Sequence, residues 1–183
     1  MMKTRIEASE KFLQRWRKEG GRFLSSIITT DETWVNFYDP EMKRESMVGQ
    51  RHLTNALRKK RPDCEIEDLI FHQDNAPAHR AEDTLLTIDF LGYERLQHPP
   101  YSPDLAPMDF CVFPRLKADL RGRRFKSEDE MKFAVRSAIR SYEKEWYADI
   151  FEKWVDRHRK CMPVAEAMEV FPRTITFAGQ NMV

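Results

Sequence analysis

The 183-residue chain balances 31 Lys+Arg against 30 Asp+Glu, a formal charge of +1, with 41% apolar and 11% aromatic residues. Such a composition supports a folded core and excludes a disordered chain or a globally basic nucleic-acid binder, so any phosphate-binding surface must come from local clusters. Three widely spaced cysteines (Cys64, Cys111 and Cys161) without a Cys-x-x-Cys pair argue against a disulfide framework or a zinc ribbon, and a reducing compartment is expected. No apolar run reaches the ~20 residues of a membrane span, and the N-terminus lacks the apolar segment of a signal peptide.

In chain order, residues 5–19 predict an amphipathic helix with Ile6, Phe12, Leu13 and Trp16 on one face, stopped by Gly20 and Gly21. The β-branched and aromatic stretch that follows predicts strands at about 26–31 and 33–38, ended by Asp39-Pro40. Residues 41–50 show neither period, and 51–60 form a helix candidate ended by Pro62. Leu69, Ile70 and Phe71 read as a short buried strand, "AEDTLLTIDFLGY" as a helix closed by Gly92, and "ERLQH" as another short strand. "PPYSPDLAP" is a rigid loop. A helix starts near Pro107 and meets a kink or restart at Pro114. Ser127 and Glu130 have the spacing of a capping box opening a helix that runs to about Trp146, and a last amphipathic helix follows from Tyr147. Strands interleaved with helices, followed by a run of helices, predict an α/β fold, a mixed sheet with flanking helices.

Three aspartates fall at element ends. Asp31 closes the first strand, Asp74 the strand "DLIF", and Asp109 lies in the first turn of the helix after the proline loop. Carboxyl ends of strands are where α/β sheets gather their sites, and carboxylates from separate elements suit Mg2+ or Mn2+. With 30 acidic residues in the chain, three are easily picked, and on composition alone an Asp at a strand end is more often a turn or capping residue than a metal ligand.

Three stretches, "TTDETWVNFYDPEMKRESM", "HQDNAPAHRA" and "LQHPPYSPDLAPMDFCVFPRLKADLRGRRF", resemble the catalytic domain of mariner-family transposases, of the Tc1/mariner superfamily. The resemblance covers most of residues 5–162 and extends to the transposase-derived half of a SET–mariner fusion protein, without implying methyltransferase chemistry here. That family carries an Asp-Asp-Asp triad with 34 residues between the second and third members, and 34 residues lie between Asp74 and Asp109. Thr30-Asp31-Glu32-Thr33-Trp34-Val35 matches the family's context for the first Asp except at the residue before it. The resemblance implies an RNase H-like fold, DNA cleavage and strand transfer with Mg2+ or Mn2+, and a nuclear site of action. It makes Asp31, Asp74 and Asp109 the catalytic and metal-binding residues. DNA is the implied partner, a homodimer is compatible with it, and no membrane association is expected.

Two departures from the family carry consequences. The family's paired helix-turn-helix modules are not matched, so the expected organisation is a linker helix over 1–24, the catalytic domain over 25–162 and a tail over 163–183, without sequence-specific DNA reading. Only 42 residues separate Asp31 from Asp74, about half the family's interval. The sheet is therefore expected to be truncated, lacking its second and third strands, which would leave the first strand at an edge and impair catalysis. A non-catalytic, sequence-indifferent DNA-binding remnant or a functionless relic is the alternative.

Arg115, Lys117, Arg121, Arg123, Arg124 and Lys126 fall within twelve residues and form the candidate DNA-binding cluster, against the alternative of a solvated helix end matched to its dipole. "RKKRP" at 58–62 is a weaker basic patch, and "RHRK" at 157–160 reads as a helix C-terminus. His72 and His79 flank Asp74, but imidazoles do not suit Mg2+; hydrogen bonding to the ligands is their expected role. Trp16, Trp34, Trp146 and Trp154 are read as core or interface residues.

Overall fold

The computed structural model describes residues 2–31, 33, 35, 68–77 and 79–163. Helix α1 (Met2–Glu19) buries Ala8, Ser9, Phe12 and Leu13 along one stripe and places Arg17 and Lys18 at its C-terminal dipole end. Gly20, at φ 60°, ends it in a conformation that glycine adopts without strain. The chain then enters a second short helix, α2 (Gly21–Ser26), a stretch to which the sequence reading assigned no element before the strand at about 26. The cause is tertiary: Phe23 is fully buried and sits edge-on against Phe12, with ring centroids 5.1 Å apart.

The strand expected over about 26–31 is shorter, β1 (Ile27–Thr29). It pairs in parallel with β2 (Ile70–His72), which pairs in parallel with β3 (Glu94–Arg95). Among the described residues the sheet has three strands in the order β1-β2-β3, so β1 lies at an edge. The second strand expected at 33–38, the helix at 51–60, the "RKKRP" patch and the tail lie outside the described residues, apart from Thr33, Val35 and the tail's Pro163.

β2 is apolar on both faces, as a parallel strand covered on both sides must be. Ile70 joins Phe12, Leu13, Phe23, Ile27, Trp154 and Val155 in the larger core cluster. Phe71 points the other way and packs with Leu69, Ile88 and Tyr93. Helix α3 (Glu82–Phe90) covers this second face through Ile88 and is followed by Gly92 at φ 82°. α1 and α2 thus share a core with the sheet and the last helix.

After β3 the proline loop forms a 3-10 turn (Pro103–Leu105), then a π-helical turn (Met108–Val112) that runs into α4 (Phe113–Leu120). Pro114 falls where the π-helical turn passes into the first turn of α4, so the helical path changes form at the proline. Helix α5 (Glu128–Ser141) opens on Ser127, whose hydroxyl accepts from the Glu130 N–H at 3.2 Å. The Glu130 carboxylate reaches back to the Lys126 N–H (2.7 Å), one residue beyond the reciprocal bond of a standard capping box. The predicted continuation to Trp146 is interrupted: Tyr142 is extended and α6 (Lys144–Cys161) begins after it. The Tyr142 hydroxyl donates to Asp119 at 2.7 Å and its ring packs on Trp146, contacts that hold the break against α4. Leu116, Leu120 and Ala134 seal α4 to α5.

Candidate active site

Parallel pairing sets the site. β1 and β2 run in register with Thr29 opposite His72, and continuing that register by two residues brings Asp31 opposite Asp74. Asp31, Asp74 and His79 each offer a ligand atom, and these atoms all lie within 4.8 Å of one another.

The segment "HQDNAPAHR" is a loop with internal bonding. Asp74 Oδ1 accepts from the Ala76 N–H (2.8 Å), closing an Asx turn. It also accepts from His79 Nδ1 at 2.6 Å; against a carboxylate the imidazole nitrogen is the donor. Gln73 Nε2 donates to the His79 carbonyl (3.1 Å). Asn75 Nδ2 donates to the carbonyl of His98 (2.8 Å), tying the loop after β2 to the one after β3. His79 is 4% exposed, so its ring orientation is fixed by packing as well.

Beneath the carboxylates lies a polar chain. Thr29 Oγ1 contacts His72 Nδ1 at 3.0 Å, and His72 Nε2 contacts His98 Nδ1 at 3.2 Å. Burial holds the His72 imidazole well below its ordinary range and lowers His98 as well, so both are neutral near pH 7. His72 rests edge-on against Trp154 (4.8 Å), whose indole N–H donates to the Leu105 carbonyl at 2.7 Å. One tryptophan therefore braces both the strand that leads to Asp74 and the turn leading to Asp109.

Asp109 lies in the π-helical turn, partly buried. Its carboxyl is raised from the ordinary range, first by burial and then by the negative charge of Asp74, with Lys117 opposing. Asp109 thus feels Asp74 electrostatically, although the tight cluster consists of Asp31, Asp74 and His79. Converging negative charge on partly buried carboxylates favours a bound cation. The carboxylate oxygens of Asp31 and Asp74, arriving from neighbouring strands, suit Mg2+ or Mn2+, so the residues present fit such an ion.

The chain aligns with human histone-lysine N-methyltransferase SETMAR at 32% identity over 148 residues, 80% of this chain and 21% of that protein. It aligns with the Mariner Mos1 transposase of Drosophila mauritiana at 26% identity over 211 positions, 88% of this chain and 61% of that protein. No family model matches. The solved Mos1 transposase catalytic domain with raltegravir and Mg superposes with a TM-score of 0.79 at 30% identity, covering 91% of this chain and 94% of that one; the form with Mn gives 0.80 at 29% and the same coverage. The chain belongs to the mariner-family transposase catalytic domains. The Mos1 paired-end complex with Mn matches as well, at a TM-score of 0.74 and 25% identity over 91% of the mariner chain described here and 62% of that one. The mariner chain spans about a fifth of SETMAR and three-fifths of Mos1. Its sheet, with helices on both faces, is the RNase H-like α/β arrangement. The antiparallel members expected of a mixed sheet do not occur among the described residues, where both strand pairs are parallel.

All six basic residues of the 115–126 cluster are exposed. Arg115 bonds Asp119 (3.3 Å) and lies over the Tyr142 ring, and Lys117 is the cation whose charge reaches Asp109. Arg121, Arg123, Arg124 and Lys126 are exposed on the α4–α5 connection.

Sequence reasoning missed the bracing role of Trp154 and a long-range strap. Arg5 on α1 donates twice to Asp104 (2.8 and 2.6 Å) and once to Ser102 (2.8 Å), holding the proline loop. Nothing local in the sequence marks that pair, whose members lie 99 residues apart.

Proposed function

We propose that this chain is the metal-dependent DNA-cleaving and strand-transfer domain of a mariner-type transposase, with Asp31, Asp74 and Asp109 as a triad of the type with 34 intervening residues. The observation that carries this reading is the meeting of Asp31 and Asp74 at the ends of neighbouring parallel strands, within 4.8 Å of each other's ligand atoms. The charge of Asp74 felt at Asp109 supports the third member. Mos1 has been solved with Mg and with Mn, and in a paired-end complex, which supports a divalent cation as cofactor, DNA as substrate and a homodimer as the working form. A bound ion supplies Lewis acidity at the scissile phosphate. The chain's own part is to fix carboxylate positions, which such sites require to within ~0.5 Å.

Catalysis is proposed to be slow. The Mos1 alignment spans 211 positions, more than the chain's 183 residues, and its 88% share of this chain is about 161 residues. About fifty positions therefore have no counterpart here, which supports the reading of a shortened Asp31–Asp74 interval. Supercoiled-plasmid nicking tests the assignment. The chain is expected to nick with Mn2+ or Mg2+, and Asp109→Ala to abolish it; nicking that persists in Asp109→Ala would refute the triad. A second reading, a non-catalytic DNA-binding remnant, draws on the exposed Arg121, Arg123, Arg124 and Lys126. It predicts DNA binding without any nicking.

A further inference from the structure

Resting on the metal-site reading above, we infer that His79 is a positioning residue that dictates which oxygen of Asp74 is offered to the metal. A carboxylate oxygen has two lone pairs in the carboxylate plane. On Asp74 Oδ1 both have partners, the Ala76 N–H at 2.8 Å and His79 Nδ1–H at 2.6 Å. Two donors on one oxygen fix the rotation of the carboxylate plane about the Cβ–Cγ bond. They leave Oδ2 as the oxygen available to a cation shared with Asp31.

Of the two donors, only His79 is a side chain that selection can alter, and it is placed for the task. It is 4% exposed, and the Gln73 side chain donates to its carbonyl. Its own N–H bonds the Ala76 carbonyl at 2.9 Å, so the loop brings its ring back onto the carboxylate five residues earlier. A hydrogen-bonded partner of a ligand typically contributes ~10–100-fold in metal affinity. His79 thus acts through Asp74 and needs no contact with metal or DNA.

Mn2+ titration of the full chain, followed by the electron paramagnetic resonance signal of free Mn2+, tests this directly. His79→Ala is expected to weaken binding ~10-fold or more. His79→Asn carries an amide N–H close to the position of Nδ1 and is expected to recover most of the affinity. His79→Gln, whose amide lies near Nε2 instead, is expected to stay weak. Asn and Gln both remove the ring and share any packing loss, so their difference reads the Nδ1 hydrogen bond even where all three variants are less stable. Wild-type binding with Asn and Gln equally weak, or with Ala at full affinity, overturns the role of His79 and leaves the metal site standing. A wild-type chain that binds no Mn2+ overturns both.

Discussion

Trp154→Phe is the most informative change to the scaffold. Trp154 is 1% exposed, donates its indole N–H to the Leu105 carbonyl at 2.7 Å, and packs against Phe12, His72 and His158. Phenylalanine keeps an aromatic ring in the core but cannot donate. Leaving the buried carbonyl without its partner costs ~1–3 kcal/mol. The smaller ring leaves a void of about 40 Å3, which at ~24 cal/mol per Å3 adds ~1 kcal/mol. The expected destabilisation is ~2–4 kcal/mol, measured by urea unfolding with far-UV circular dichroism at constant m. Because Leu105 lies four residues before Asp109, Mn2+ affinity is expected to fall in the same variant under conditions where it remains folded. A loss below ~1 kcal/mol at unchanged m would show that the indole hydrogen bond and the filled volume do not brace the site.

Acid should weaken the fold through buried imidazoles. Burial pushes His158 down to about 3 from an ordinary 6.5, so it stays neutral when folded and takes a proton when unfolded below pH 6.5. Stability is therefore fullest above pH 6.5 and falls as the pH drops toward 3, by up to ~1.4 kcal/mol per pH unit; His72, lowered for the same reason, adds to the slope. Urea midpoints at pH 7 and pH 5 check this, and a flat profile in wild type would contradict it. Reversing both Arg123 and Arg124 to Glu should weaken sequence-indifferent DNA binding and reduce its log–log salt slope by about 2. Fluorescence anisotropy over a salt series measures both, and an unchanged slope would remove these residues from the interface.

Local chemistry made much of the fold and site legible. The β2 strand showed as three consecutive apolar residues ahead of turn formers, and Gly20 and Gly92 marked helix ends that the backbone places at positive φ. Asp31 and Asp74 stood out at element ends and were grouped by the family resemblance; the strand register that sets them opposite each other belongs to the structure. What stayed illegible depends on partners distant in sequence. α2 is helical because Phe23 meets Phe12, and the helix break at Tyr142 is held by Asp119. The Arg5–Asp104 strap joins opposite halves of the chain. His79 showed as a neighbour of Asp74 in sequence, but that it shares one oxygen with the Ala76 amide follows only from the loop's closure.

The π-helical turn at Met108–Val112 sets a phase relation between chemistry and surface charge. A π turn holds one residue more than the α-helical turn it replaces, so α4 emerges rotated relative to Asp109 by one residue, about 100°. Deleting Phe110 or Cys111 would let the turn relax to α-helix, leaving all three aspartates in the chain. The faces carrying Arg115 and Lys117 would swing by that same angle about the axis, and Lys117 would lose its electrostatic reach to Asp109. The insertion works as a vernier: a single-residue change resets the azimuth between carboxylate and cations without touching either.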